Sequence, residues 1–399
     1  MWAPRSNAKM VMPPLAHASD RSSPSYRRLR ALGEQLGGGV NEIRSPTAGS
    51  NCGGEDAPAE LLPIPGWPEG LPMYEFVDVP RFEPGDPAAL EHVNEHGYAV
   101  ISVLSLEECA IALSKFWRFI EAAGHGVRRD DPSSWTDEAW QASLPPTHAE
   151  PLWFVRGVPK VAKCWEGLLG TDELLVSFCG APLNRNWSYN NQWRGGGGSF
   201  HVDRGAYYHP GLGVRIPYGL DDRDYIQGTV TLIDNGPHTG GNVVFPRSHK
   251  YFRYIAETYH RPMKEQHAYI NSGSSLPAAM AAEPDLFGTP IMAKLKAGDA
   301  FVWDDRVIHG TCCGKVRPPN DASAPLFRAA VHVTMSPKSL AMDEALETRK
   351  LALEQGVSNG HPAHHPIPRR NFESAVSYFA SGTKIPAPPL NTHQMSLVA

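Results

Sequence analysis

The chain has 399 residues, 41% of them apolar and 20% charged, a balance that supports a sizeable buried core. Its net charge of −5 supplies neither the basic excess of a nucleic-acid binder nor a polyacidic tract for a basic partner. No apolar run reaches the roughly eighteen residues that a membrane span requires. The six cysteines, Cys52, Cys109, Cys164, Cys179, Cys312 and Cys313, contain no Cys-x-x-Cys pair. No secretory signal precedes them, and they read as reduced thiols of an intracellular protein, with packing the expected role of Cys312 and Cys313.

Residues 1–72 are rich in Pro, Gly, Ser and Ala and show no sustained period, which predicts a disordered or targeting segment. The first fifty residues carry seven Lys/Arg against three acids. Within them Arg28-Leu29, five residues, then Gln35-Leu36 has the form of an N-terminal peroxisomal address, and a helix would align those four side chains. Cytoplasm or peroxisome is therefore the expected compartment. The main domain is expected over 73–338. Tyr98–Val103 reads as a strand, and Ser105 with Glu108 forms a capping box for a helix whose buried face is Cys109, Leu113, Phe116 and Ile120, stopped by Gly124. A second helical run spans Pro159–Leu169.

From Gly180 to Met335, short apolar runs at 226–233, 242–245, 294–295, 300–303 and 327–334 are cut by Gly, Pro and Asn/Asp. Turn-bounded strands of this kind predict a β-sandwich or barrel, and helices that precede them predict helices packed outside it. Residues 251–290 form a weakly patterned insertion of the sort used as a lid or binding element. A helix over 339–355 ended by Gly356, a Pro/His-rich stretch and a short helix near 371–380 make up a C-terminal extension, 339–399.

The chemistry concentrates at Gly195–Arg204, which contains His201-Val202-Asp203. In a strand, residues i and i+2 point to one face, so His201 and Asp203 can meet one cation. His309 is the best third ligand. Two imidazoles and one carboxylate on one face of an octahedral iron leave three positions open, enough for a bidentate 2-oxoacid and O2. A rival pair, His148-Ala149-Glu150, lies among Pro145, Pro146 and Pro151 and is expected in a surface loop. His361, His364 and His365 stand beside Pro362 and Pro366 and are expected in a solvated tail.

Three ordered blocks resemble the phytanoyl-CoA dioxygenase family over residues 90–335. They are His201-Val-Asp203; Ile226–Asp234 followed by Gly240-Gly241 and Phe245-Pro-Arg-Ser-His249; and Gly298-Asp299 through Trp303 to His309-Gly310-Thr311, then Phe327-Arg328. The strand and helix at Tyr98–Gly124 match the family's usual opening. Departures are present. The family's Pro-Gly-Ser/Thr-His is Pro246-Arg-Ser-His249, its Asn-Gly is Gly240-Gly241, its frequent Trp is Val230 or Thr231, and an insertion at 317–325 lengthens the interval from His309 to Arg328.

The resemblance implies a double-stranded β-helix (jelly-roll) core, mostly β with flanking helices. It implies an Fe(II)- and 2-oxoglutarate-dependent dioxygenase that decarboxylates 2-oxoglutarate to succinate and CO2 while oxidising a C–H bond of a small organic molecule. His201, Asp203 and His309 would hold Fe(II), and the carboxylate at 203 disfavours the halogenase variant of this chemistry. Arg328 would grip the distal carboxylate of 2-oxoglutarate with two parallel hydrogen bonds; Arg317, its competitor, precedes Pro318 and Pro319 and reads as loop. Thr311 and Gln227 are further cosubstrate candidates. Substrate walls are expected from Asn184–Trp193, Arg204–Arg215 and the 251–290 insertion, with Trp187, Trp193, Arg204, Tyr207, Tyr208 and Arg215 as the named side chains. An inactive cupin-like binder and a zinc hydrolase are the alternatives, although no His-Glu-x-x-His pattern is present.

Overall fold

The computed structural model describes residues 60–203, the backbones of two strands at 207–209 and 214–216, and residues 223, 225–252, 287–318, 326–359, 362–373 and 387–399. The proposed address at 28–36, most of the 251–290 insertion and the side chains of Arg204, Tyr207, Tyr208 and Arg215 lie outside the described residues.

Strands β1 (Glu75–Val77) and β2 (Arg81–Phe82) precede helix α1 (Pro87–His96). Asp86 caps α1 by accepting from Ala88 N, Pro87 stands at its first turn, and Gly97 ends it at φ 86°, the left-handed conformation that glycine adopts without strain. Strand β3 (Tyr98–Ser102) follows, and then α2 (Leu106–Ala122), opened by the capping box of Ser105 and Glu108. Three further helices, α3 (Asp137–Ser143), α4 (Glu150–Arg156) and α5 (Pro159–Leu169), lead into β4 (Leu174–Val176) and β5 (Leu183–Arg185). The remaining strands are β6 (Tyr207–His209), β7 (Val214–Ile216), β8 (Ile226–Thr231), β9 (Gly241–Val244), β10 (Ile291–Ala293), β11 (Asp299–Asp304), β12 (His309–Cys312), β13 (Leu326–His332) and β14 (Met335–Pro337). Helices α6 (Asp343–Gln355) and α7 (Thr392–Ser396) close the order.

These strands build a jelly-roll core. One sheet runs β2-β3-β11-β8-β13-β5, with β14 pairing β8 and β4; the other runs β1-β10-β9-β12. Antiparallel register sets Trp303 opposite Gln227, Phe301 opposite Thr229, and Thr229 opposite His332. In the second sheet His309 lies opposite Val244, and Thr311 opposite Asn242. Helices α2 to α5 cover the outer face of the larger sheet, where Trp165 is fully buried and donates its indole N–H to Ile226 O at 2.8 Å. A second apolar cluster of Ile64, Tyr74, Phe200, Val202, Phe245 and Met292 covers the smaller sheet. Between the sheets Val244, Phe301, Trp303 and Val307 pack together.

Several expectations need correction. Ordered packing starts before Met73: Ile64 and Leu71 are buried and Leu61 bridges to Val316. The apolar run at 294–295 is irregular, and its strand lies earlier at β10 because Ile291–Ala293 pairs in parallel with β1. His148 is buried rather than on a surface loop, and its Nε2–H donates to Val357 O at 2.9 Å. His364 is buried as well. The C-terminal extension is not a solvated tail. Leu397 and Val398 belong to the main core cluster, and residues 56–399 form one compact unit. Among the described residues no helix is long and apolar enough to cross a membrane.

Candidate metal centre

His201 and His309 are backbone partners. Each amide N–H donates to the other's carbonyl at 2.9 Å, which adds the Gly197–Asp203 segment to the edge of the smaller sheet beside β12. Alternation then divides the segment: Phe200 and Val202 enter the apolar cluster, leaving His201 and Asp203 on the opposite face. Phe200 is edge-on to Phe245 and to Trp67; burying such a ring contributes roughly 1.5–3 kcal/mol and pins the register that aims both polar side chains inward.

The turn before His309 is held by charge. Asp304 is fully buried and accepts from Arg306 N (3.0 Å), Arg306 Nε (2.8 Å) and Arg223 Nε (2.9 Å). Burial alone would raise its carboxyl, but the hydrogen bonds of Arg306 and the charges of Arg306 and Arg223 hold it well below the usual carboxylate range. Asp304 N also donates to Gly97 O at 2.9 Å, tying this turn to the end of α1.

One ligating atom from each of His201, Asp203 and His309 lies within 4.8 Å of the others. His201 Nε2 is 3.5 Å from Asp203 Oδ1, and His309 Nε2 is 3.3 Å from Asp203 Oδ2. Both rings have the same tautomeric constraint. His201 Nδ1 sits 2.9 Å from Ser199 O and His309 Nδ1 sits 3.0 Å from Val307 O. A carbonyl can only accept, so each Nδ1 carries a proton and each Nε2 is the nitrogen that faces the carboxylate. Nε2 is thus the nitrogen through which each ring would bind a divalent cation, with the second nitrogen anchored by the backbone. Two nitrogens and one oxygen suit a borderline-hard metal such as Fe(II) and supply no thiolate for a soft one.

Gln227 is fully buried and faces the same interior. Its Nε2 donates to Asp203 Oδ2 at 2.5 Å and its Oε1 accepts from Trp303 Nε1 at 2.9 Å. Arg328 lies on the inner face of β13, where its guanidinium donates to Asn242 Oδ1. Burial lowers its pKa to about 10, and among the described residues no carboxylate pairs with it. A half-buried guanidinium without a counter-ion is a ready partner for an anion that enters the cleft. Thr311, exposed on β12, and Arg328 share a cleft of about 480 Å³ with Asn184, Trp193, His332 and Cys312.

The proposed substrate walls fare unequally. Trp193 lines this cleft, and the Arg185 guanidinium stacks on its ring at 4.3 Å. Trp187 is buried instead, donating its N–H to His238 O at 2.8 Å and packing edge-on against Phe327. Two interior residues escaped the sequence reading. Trp303 faces Gln227 across the ladder, and His332, four residues beyond Arg328 on the same strand face, bonds to Thr229 Oγ1 at 3.0 Å. Strand alternation from Gln227 and Arg328 was the signal for both.

A family model described as phytanoyl-CoA dioxygenase matches residues 93–312. The chain is 27% identical over 249 residues to "Ava biosynthesis cluster protein O" of Aspergillus versicolor, an alignment covering 60% of this chain and 73% of that one. It is 22% identical over 301 residues to a "Putative phytanoyl-CoA dioxygenase" of Dictyostelium discoideum, covering 67% of this chain and 80% of that one. Among solved structures it is similar to the epimerase SnoN in complex with Fe3+, alpha ketoglutarate and nogalamycin RO, at 18% identity, covering 63% of this chain and 85% of that one with a TM-score of 0.40.

Proposed function

The chain belongs to the phytanoyl-CoA dioxygenase family, and from that premise we propose that it is an Fe(II)- and 2-oxoglutarate-dependent dioxygenase that oxidises a C–H bond of a small organic molecule. The observation that carries this reading is the meeting of His201, Asp203 and His309 within 4.8 Å, on an interior that also holds a half-buried Arg328 with no carboxylate beside it among the described residues. The two Nε2 lone pairs and one carboxylate oxygen would hold Fe(II). Arg328 and Asn242 would receive the distal carboxylate of 2-oxoglutarate, and the Thr311 hydroxyl would add a hydrogen bond. Bound Fe(II), with 2-oxoglutarate and O2, supplies the oxidising chemistry: one oxygen atom goes to succinate, formed with CO2 from the cosubstrate, and the other to the organic substrate.

The protein's share is orientation and dryness. The backbone carbonyls of Ser199 and Val307 keep the imidazoles aimed, with Nε2 turned inward. Trp303, whose ring centroid is 5.1 Å from that of His309, shields that ligand from water. Residues in the Arg328 cleft, Trp193 and Asn184 among them, are the described candidates for meeting organic molecules that enter.

Anaerobic addition of Fe(II) and 2-oxoglutarate is expected to produce a weak visible charge-transfer band that His309→Ala abolishes. Arg328→Gln should keep metal binding but weaken 2-oxoglutarate about 100-fold, near 3 kcal/mol at 1.4 kcal/mol per tenfold. A tight stoichiometric zinc site with no such band would replace this reading with the hydrolase one.

A further inference from the structure

The buried amide of Gln227 has one allowed orientation. An indole N–H can only donate, so the oxygen of Gln227 must face Trp303, and its NH2 group must then face Asp203. The two residues lie directly opposite in the β8–β11 ladder, so the sheet register itself brings indole and amide together. Gln227 is fully buried and Trp303 nearly so. The neutral amide leaves the full negative charge of Asp203 for a cation. The same indole lies 5.1 Å from the ring of His309 at an interplanar angle of 46°. One cross-strand pair thus restrains two of the three candidate ligands: one by a hydrogen bond relayed through Gln227, the other by ring contact.

We propose that Gln227 and Trp303 are positioning residues for the metal centre, with Trp303 locking the Gln227 amide and Gln227 presetting the Asp203 carboxylate. The inference rests on the reading that His201, Asp203 and His309 hold Fe(II). It gives Gln227 a task directed at the metal ligand, different from the cosubstrate contact expected from sequence. The relay makes the two residues interdependent. Without the indole N–H the amide is free to turn its oxygen toward Asp203, which is repulsive. Without the amide, Trp303 has nothing to relay.

The test is metal affinity, measured anaerobically on the full chain by calorimetry with Fe(II) and by the ligand-field absorption of Co(II). Gln227→Met is expected to weaken binding by about 10–100-fold, the usual effect of losing a group that orients a ligand. Trp303→Phe, which keeps an aromatic ring but removes the N–H, is expected to weaken binding several-fold and to alter the Co(II) spectrum. The double variant should bind no more weakly than Gln227→Met alone, because the relay is already broken. Circular dichroism checks that each variant is folded, and Trp303→Phe alone decides the matter if Gln227→Met does not fold. Metal affinity and Co(II) spectra unchanged in the folded variants, or strictly additive losses, would overturn the relay while leaving the metal centre intact. Absence of binding by the unsubstituted protein, with Asp203→Ala indistinguishable from it, would remove the metal reading and this inference together.

Discussion

Burial sets the charge state of His148. Its ring lies among Trp153 and Phe178, with centroid separations of 6.1 and 4.6 Å. Burial pushes its pKa down to about 4, with a smaller push from the charges of Arg156 and Arg349, against the opposing hydrogen bond to Val357 O. The unfolded chain would protonate this imidazole near pH 6.5. Between about pH 6.5 and 4 the unfolded state therefore binds a proton that the native state refuses, and stability falls as pH drops through that window. The half-buried His92, also lowered to about 4 by burial and by neighbouring His96, acts in the same direction. Urea melts at pH 7.5 and 5 should show the loss, and His148→Gln, which keeps an amide donor for Val357, should reduce the difference. An identical pH dependence in that variant would remove His148 as a source. At the metal centre the same scale of detail matters in another way: two carbonyls, of Ser199 and Val307, choose the tautomers that make two ordinary histidines usable as ligands.

Helix α1 and strand β3 meet at Gly97, where two constraints coincide. The backbone has φ 86°, and a Cβ there would stand 2.4 Å from Val307 Cγ2 and 2.6 Å from His249 Nδ1. The carbonyl of Gly97 also accepts from Asp304 N at the head of the turn that presents His309. Gly97→Ala must therefore either strain the helix end or push the 304–309 turn outward. A loss of about 2–4 kcal/mol is expected from backbone strain and overpacking together, read as a lowered urea midpoint, with weaker Fe(II) binding as its companion because His309 moves with the turn. Retention of both would mean that the junction yields without cost. The other end of this sheet layer obeys similar logic at Gly240, where φ is 75° and a Cβ would lie 2.2 Å from Cys312 O; glycine there lets the β8–β9 connection pass against β12.

Across the whole molecule, the C-terminal residues act as a strap on the larger sheet. Leu397 O accepts from Val176 N at 3.0 Å, and the fully buried Arg349 donates to Val398 O, Ala363 O, Val176 O and Leu397 O at 2.6–3.0 Å. Its guanidinium also lies 4.4 Å over the Phe178 ring. The charge is thus satisfied by carbonyl dipoles and a π face, and burial lowers its pKa to about 9. Deleting residues 390–399 would expose the sheet edge at β4, remove the buried Leu397 and Val398 side chains and leave Arg349 short of two acceptors. A loss of roughly 3–5 kcal/mol follows from the apolar area and the unsatisfied donors, seen as a fall in melting temperature. An unchanged melting temperature would mean that the strap is decorative.

Alternation and spacing in the sequence were enough to place His201 and Asp203 on one strand face and to find α2 from its capping box and apolar stripe, because these signals are local and periodic; Arg328 came from the family resemblance. The approach of candidate ligands more than a hundred residues apart is not local: it follows from the pairing of His201 with His309 and from β8 lying between β11 and β13. Burial of His148 and His364 was equally invisible, since polar residues flanked by prolines look solvated until another segment covers them. The C-terminal strap carries so little periodicity that only its docking on Val176 and Arg349 gives it structure. Residue chemistry and strand alternation thus determined which side chains could bind a cation; the sheet pairings, which bring distant strands into register, decided that they meet and that Trp303 and Gln227 stand behind them.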